Sequence, residues 1–336
     1  MTDIAAPYLL YLGDTPMAEM AKTGAGLAYW RPERCLAQLR EAGCAADLGL
    51  PDMSVAEAVA AGARTLVIGT SAPGGQLPPT WIARLVEAME AGLDVASGLH
   101  VPLRSVPALA EAADRTGRLI HDVRLGKAEY PIATGLPRSG HRLLTVGTDC
   151  AVGKKYTALA IHREMTKRGL PADFRATGQT GVLIDGHGVA VDAIVADFLA
   201  GAVETLCPAA AGDHWDIVEG QGSIVHPAYA GVTLGLLHGA QPDCFVVCHE
   251  AGRADLAGFP GHKVGDIAEI ISLTVALGRI VSPKIRCVGI SVNTARLDEK
   301  EARAELARLA AKHGVPAVDP VRFGVSDLVD GLPVGR

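Results

Sequence analysis

Val146-Gly147-Thr148-Asp149-Cys150-Ala151-Val152-Gly153-Lys154-Lys155 stands between an apolar run, Leu143-Leu144-Thr145-Val146, and a segment whose Ala158, Ile161 and Met165 share one helical face. A strand that turns through glycines into an amphipathic helix is the setting a phosphate loop requires. The glycines let the backbone curl until several N–H groups point inward, the helix N-terminus adds its positive dipole end, and Lys154 brings a mobile ammonium. The expected guest is an anion, above all a diphosphate. The residues expected to hold it are Gly147, Thr148, Cys150, Ala151, Val152, Gly153, Lys154, Lys155 and Tyr156.

The spelling departs from the strict pattern twice. Thr148 takes the first glycine position, and Lys155 stands where a Ser or Thr normally coordinates Mg²⁺ beside a nucleoside triphosphate. A second lysine neutralises phosphate without a metal, so the loop favours a diphosphate that is held rather than cleaved, as in coenzyme A, and no metal is expected. Thr157 or Thr148 still leaves Mg²⁺ and ATP hydrolysis open.

Around this loop the chain alternates strand and helix. After the strand at 143–146 the pattern predicts helices over 154–168, 191–206, 230–238, 267–277 and 299–313. Strands are predicted at 172–175, 216–218, 245–247 and 287–290. Asp298 with Glu301 resembles a capping box. Val195, Phe198, Leu199, Ala202 and Leu206 recur at helical spacing and are expected in the core. Upstream, strands at 8–12, 65–69, 94–96 and 119–120, with helices over 34–42 and 81–91, read as an open Rossmann-like sheet. The turn-rich loop at 71–79 follows a strand end, where such sheets place ligands. Pro, Gly, Thr and Ser without periodicity at 130–141 mark a break near residue 138. The expectation is an α/β protein of two domains: a Rossmann-like parallel sheet over 1–138 and a P-loop NTPase-like parallel sheet over 139–336.

The 336 residues suffice for two ordinary cores. A net charge of −6 without a Lys/Arg run argues against nucleic acid. Without an apolar run of spanning length or a signal-like start, a membrane is not expected either and the cytoplasm is. Seven cysteines, an odd number without CxxC spacing, argue against a disulfide framework or a zinc site. Small-molecule substrates and a homo-oligomer are the expected partners.

The Gly-Thr-Asp opening and Val-Gly-Lys close of the loop, with Val218-Glu219-Gly220-Gln221-Gly222, resemble dethiobiotin synthetase and related P-loop proteins. A wider resemblance rests on Ala21-Lys22-Thr23-Gly24-Ala25-Gly26, Gly92-Leu93-Asp94, Ser97-Gly98-Leu99-His100, Asp122-Val123-Arg124, the 147–155 loop and Cys248-His249-Glu250-Ala251-Gly252-Arg253. These are similar to a bacterial family, long labelled as of unknown function, that includes D-glutamate N-acetyltransferases. The resemblance implies transfer of an acetyl group from acetyl-CoA to the amine of D-glutamate; the dethiobiotin synthetase likeness implies a Mg-ATP-dependent ligase or kinase instead. A non-catalytic nucleotide-binding protein is a third possibility.

Amide formation from a thioester needs a deprotonated amine, a donor for the oxyanion and a site for the acceptor's carboxylates. His249, just past a buried strand, is the first candidate base; Glu219, at a strand end among glycines, and Asp149, inside the anion loop, are the others. Guanidinium groups that follow strands, Arg253, Arg175 and Arg124, suit glutamate's carboxylates. Thr177 and Gln179, in the small-residue stretch Arg175-Ala176-Thr177-Gly178-Gln179-Thr180-Gly181, are expected to line the acceptor pocket. Cys150 beside two lysines is considered as an acyl carrier, with direct transfer preferred.

Overall fold

The computed structural model describes residues 4–72, 76–125 and 129–332; the predicted ligand loop at 71–79 lies partly outside them. The chain falls into two compact units. The first is Met1–Gly126 together with Gln179–Ala193, and the second is Lys127–Gly178 together with Ile194–Arg336.

In the first unit the order is β1 (Tyr8–Gly13), α1 (Lys22–Trp30), β2 (Cys35–Arg40), α2 (Val55–Ala60), β3 (Thr65–Ile68), α3 (Pro79–Glu90), β4 (Asp94–Ser97), α4 (Pro107–Thr116) and β5 (Ile120–Asp122). Among the described residues the strands form one parallel sheet in the order β2-β1-β3-β4-β5. The apolar run of β1 is buried along its whole length, as a strand covered on both faces must be. Trp81, Leu85, Ala88 and Met89 put one face of α3 into the core with Leu9, Tyr11, Leu66 and Val95. The helix expected over 34–42 is instead the edge strand β2. Leu36 and Leu39 stand three apart, which mimics helical spacing, but Gln38 and Leu39 are both buried by pairing with β1 and by the chain folded over them.

The second unit begins with β6 (His141–Gly147), α5 (Lys154–Lys167) and β7 (Ala172–Arg175). The chain then leaves it for α6 (Gln179–Asp185), which belongs to the first unit. There Thr180 Oγ1 lies 3.0 Å from Thr23 Oγ1, and Arg31 donates to the carbonyl of Ile184 at 2.7 Å. The sequence expectation of one break near residue 138 has no counterpart to this return, because a seven-residue helix is too short to carry a periodic signal. The second unit resumes with α7 (Ala196–Leu206), β8 (Trp215–Val218), α8 (Ala230–Ala240) and β9 (Cys244–Glu250). A hairpin follows, β10 (Asp255–Leu256) and β11 (Phe259–Lys263), then α9 (Ile267–Gly278), β12 (Arg286–Asn293), α10 (Glu299–His313), β13 (Ala317–Val318) and α11 (Ser326–Asp330).

The main sheet of this unit is parallel, in the order β13-β12-β9-β6-β8-β7, with the phosphate-loop strand β6 inside it. Asp298 and Glu301 close a reciprocal capping box on α10. The predicted core face of α7 is only half right. Leu199 and Ala202 are buried, whereas Val195 is 67% and Phe198 38% exposed, because Val195 precedes the first turn and Phe198 lies on its outer side. Among the described residues no helix is long and apolar enough to cross a membrane.

Candidate functional site

β6 delivers the chain at Gly147 to a tight loop, and Gly153, at φ +106°, turns it into α5. No side chain caps α5, so its first N–H groups remain available to an anion. Lys154 is nearly buried, and its ammonium donates to the carbonyl of Asp149 at 2.7 Å. Burial holds that ammonium below the usual lysine range, opposed by the nearby Cys248, Cys150, Asp149 and Glu219. Thr148 and Val152 are buried, Cys150 is half-buried and Ala151 is exposed at φ +55°. The Lys155 ammonium lies 5.5 Å over the ring of Tyr156. Thr157 turns its hydroxyl inward, 3.0 Å from the Gly153 carbonyl and 2.7 Å from Ser291 Oγ.

Asp149, although inside an anion loop, is fully buried and matched on both oxygens. Oδ1 accepts from the Cys150 N–H at 2.6 Å, and Oδ2 accepts from Arg253 at 2.7 Å and from the Ala257 N–H at 2.8 Å. Arg253 also donates to the Cys150 carbonyl at 2.8 Å and pairs with Glu250. The approach to the β10–β11 hairpin and its turn are thereby tied to the phosphate loop.

Glu219 ends the β8 segment and accepts from the N–H groups of Thr177 and Gly178 at 3.0 and 3.1 Å, while the Thr177 hydroxyl donates back to the Glu219 carbonyl at 2.5 Å. Burial raises the Glu219 carboxyl above its usual range, with Lys155, these N–H groups and Lys154 pulling the other way. Gly220 is obligatory here: a Cβ would sit 1.6 Å from the Thr145 carbonyl oxygen and 3.1 Å from Lys154 Cδ. The Glu219 loop and the phosphate loop therefore touch through backbone and lysine.

His249 follows Cys248, whose thiol faces Thr157 on α5 at 3.4 Å, so by strand alternation the imidazole points to the opposite face of the sheet. Its Nδ1 lies 3.0 Å from Thr148 Oγ1, and it lines a cavity of about 130 Å³ with Asp266, Arg308, Lys312 and His313. Burial lowers its pKa, which favours the neutral ring. The three predicted arginines part company. Arg253 lies at the phosphate loop. Arg175 turns to Asp216 at 2.7 Å and Asp173 at 3.0 Å. Arg124, in the first unit, pairs with Asp192 and donates to the Gly98 carbonyl at 2.6 Å. Gln179 also belongs to the first unit, its side chain packed where a Cβ on Gly98 would be. Thr177 stays with Glu219 in the second.

Two groups escaped the sequence reading. Arg296, on the loop after β12, pairs with Glu250 Oε1 at 3.2 Å and is otherwise exposed. His226 is fully buried beside Asp149, its Nε2 3.8 Å from Asp149 Oδ1. A single histidine in an irregular loop has no spacing to announce it; the signal available was its place seven residues after the strand-end Glu219.

Family models match both halves of the chain. A Rossmann-like domain of unknown function, the N-terminal domain of the DUF1611 family, matches residues 39–125, and that family's C-terminal P-loop domain matches 131–329. A D-glutamate N-acetyltransferase from Tritonibacter scottomollicae is 50% identical over 98% of this chain and 99% of its own. A second protein of that name, from Pseudoalteromonas sp., is 43% identical over the same shares. The crystal structure of a DUF1611 family protein from Anabaena variabilis superposes with a TM-score of 0.88 at 34% identity, covering 97% of this chain and 99% of the other.

Proposed function

The chain belongs to the DUF1611 family, and from that membership we propose that it moves the acetyl group of acetyl-CoA onto the amine of D-glutamate, with residues 147–156 holding the coenzyme A phosphates. It is an N-acetyltransferase. The observation that carries the reading is the near-complete, half-identical match to a relative that bears this activity in its name.

The phosphate loop supports the choice of donor. Uncapped N–H groups at the start of α5 and the Lys154 ammonium suit a diphosphate. Lys155 occupies the position of the metal-binding hydroxyl, and the Thr157 hydroxyl is spent on Gly153 and Ser291. Arg253, with Arg296 across Glu250, supplies guanidinium groups for the acceptor's carboxylates beside that loop. Glu219, His249 and Asp149 are the candidates for taking the amine's proton. Glu219 is the favoured one, since a raised carboxyl in contact with the lysine loop is nearer in pKa to its task.

The test is release of free coenzyme A thiol from acetyl-CoA with D- and L-glutamate and D- and L-aspartate, in the absence of ATP and Mg²⁺. Wild type should release thiol with D-glutamate, and Lys154→Ala should lose about 10²–10³-fold in kcat/KM. Silence with every acceptor, with ATP consumed once Mg²⁺ is added, would replace this reading with a ligase or kinase.

A further inference from the structure

His226 has an unusual amount of structure around it for a side chain with nothing to do. Its ring is fully buried, tilted against Tyr229 at 4.6 Å and edge-on to Phe259 at 4.8 Å, so its plane is set by packing. Nδ1 accepts the Ala228 N–H at 3.1 Å. A neutral imidazole has one acceptor nitrogen and one donor, so the proton sits on Nε2. That Nε2–H has no hydrogen-bond partner among the described residues. Asp149 Oδ1 is too far at 3.8 Å, and Asp149 is held where it is by Cys150, Arg253 and Ala257. In the same loop the hydroxyl of Ser223 is also fully buried and without a partner. Buried polar atoms are nearly always matched, so two orphans in one loop beside an anion cradle indicate that a ligand brings the match.

The tautomer decides what kind of ligand. One ligand atom each of Asp149, Cys150 and His226 come within 4.8 Å of one another, a spacing that would suit a cation. A metal at Nε2 needs that nitrogen's lone pair, which would move the proton to Nδ1, facing the Ala228 N–H; Arg253 and Lys154 would add two positive charges nearby. The same conflict prevents Nε2 from acting as a base. His226 is built to donate.

We infer that His226 is a catalytic residue of the acetyl transfer proposed above, its Nε2–H donating to the carbonyl oxygen of the acetyl thioester. In the step it serves, the amine nitrogen attacks the thioester carbon and the C=O electron pair moves onto oxygen, where the Nε2–H meets the developing charge. Collapse of that intermediate breaks the C–S bond, and the amine's proton ends on the coenzyme A sulfur. Atoms and electrons balance without a further reactant. Burial of the ring does not argue against contact with substrate, since Lys154, the lysine of the phosphate loop, is covered to a similar degree.

The experiment pairs kinetics with nitrogen-15 NMR of the full chain. His226→Leu keeps the bulk without the N–H and should lower kcat about 10²–10³-fold with little change in KM for acetyl-CoA, and His226→Gln, which restores an N–H at similar reach, should recover a good part of it. In wild type the Nε2–H resonance should shift with acetyl-CoA and far less with coenzyme A itself. Wild-type kcat in both variants, or equal shifts with the two nucleotides, would overturn the inference. A wild type that transfers no acetyl group would overturn the reading beneath it; if the leucine variant fails to fold, the glutamine variant and the resonance still decide.

Discussion

Two strand–loop–helix turns in this chain start from similar parts. β1 runs through Gly13 towards α1, whose start carries Lys22 and lacks a side-chain cap; β6 runs through Gly147 to α5, whose start carries Lys154 and likewise lacks one. In the first turn the polar groups satisfy one another. Asp14 accepts from Trp81 Nε1 at 2.9 Å, Thr15 bonds the Leu12 carbonyl and lies 2.7 Å from Thr70 Oγ1, the Gly24 N–H donates to the Gly69 carbonyl at 2.7 Å, and Lys22 is exposed. In the second, the lysine is buried on a single backbone carbonyl, and His226 and Ser223 in a neighbouring loop carry buried polar atoms without partners among the described residues. Glycines and a lysine after a strand are common to both turns; the polar groups left without partners are what set the second apart.

That contrast predicts opposite costs for substitutions. The largest effect is Lys154→Met, which should cut acetyl transfer by about 10²–10³-fold, or ~3–4 kcal/mol, yet melt no lower than wild type at neutral pH, because it removes a buried ammonium. The sign follows from the depressed pKa of Lys154. Its neutral form is the one the fold favours, so wild type should gain on the variant as pH rises from the depressed value towards the usual 10.5, and lose that gain as pH falls. Thermal melts of both proteins across that range check it, and a variant that melts lower throughout would erase the contrast. Gly69→Ala in the first turn should do the reverse. Its Cβ would lie 3.0 Å from Leu12 Cδ2 and 3.1 Å from Gly24 Cα, so stability should drop by roughly 2–3 kcal/mol with turnover per folded molecule unchanged. Thr15→Val, which strands the buried Thr70 hydroxyl, should cost about 1–2 kcal/mol in a denaturant titration and nothing in kcat. The smallest effect is Cys150→Ser. Burial keeps that thiol protonated, so replacing it should alter turnover by under ~0.5 kcal/mol; abolished activity would point to a covalent acetyl-cysteine.

Much of the fold was legible because parallel strands covered on both faces are continuous apolar runs, and β1, β3, β6, β9 and β12 all have them. The edge strand β2 was not, since Gln38 and Arg40 interrupt its apolar run and Leu36 and Leu39 stand three apart. The phosphate loop could be read because its chemistry is local in sequence: glycines, lysine and helix start lie within ten residues. The rest of the site is assembled across the sheet. Asp149 meets Arg253 across 104 residues and Thr148 meets His249 across 101, and no spacing rule covers such distances. Arg175 follows a strand, as a substrate-binding arginine would, but Asp216 on the neighbouring strand had already claimed it.

The return of Gln179–Ala193 to the first unit also constrains how the protein is made. A ribosome that has released Gly126 has not yet released α6, which supplies Thr180 and the Ile184 carbonyl to α1, nor Asp192, which pairs with Arg124. By the time it has, the phosphate loop and β7 have already emerged, so the N-terminal unit cannot mature ahead of its neighbour in the usual order of synthesis. The two halves are threaded together by three crossings, and a protease that cut once between residues 126 and 138 would leave a nicked protein rather than two separable pieces.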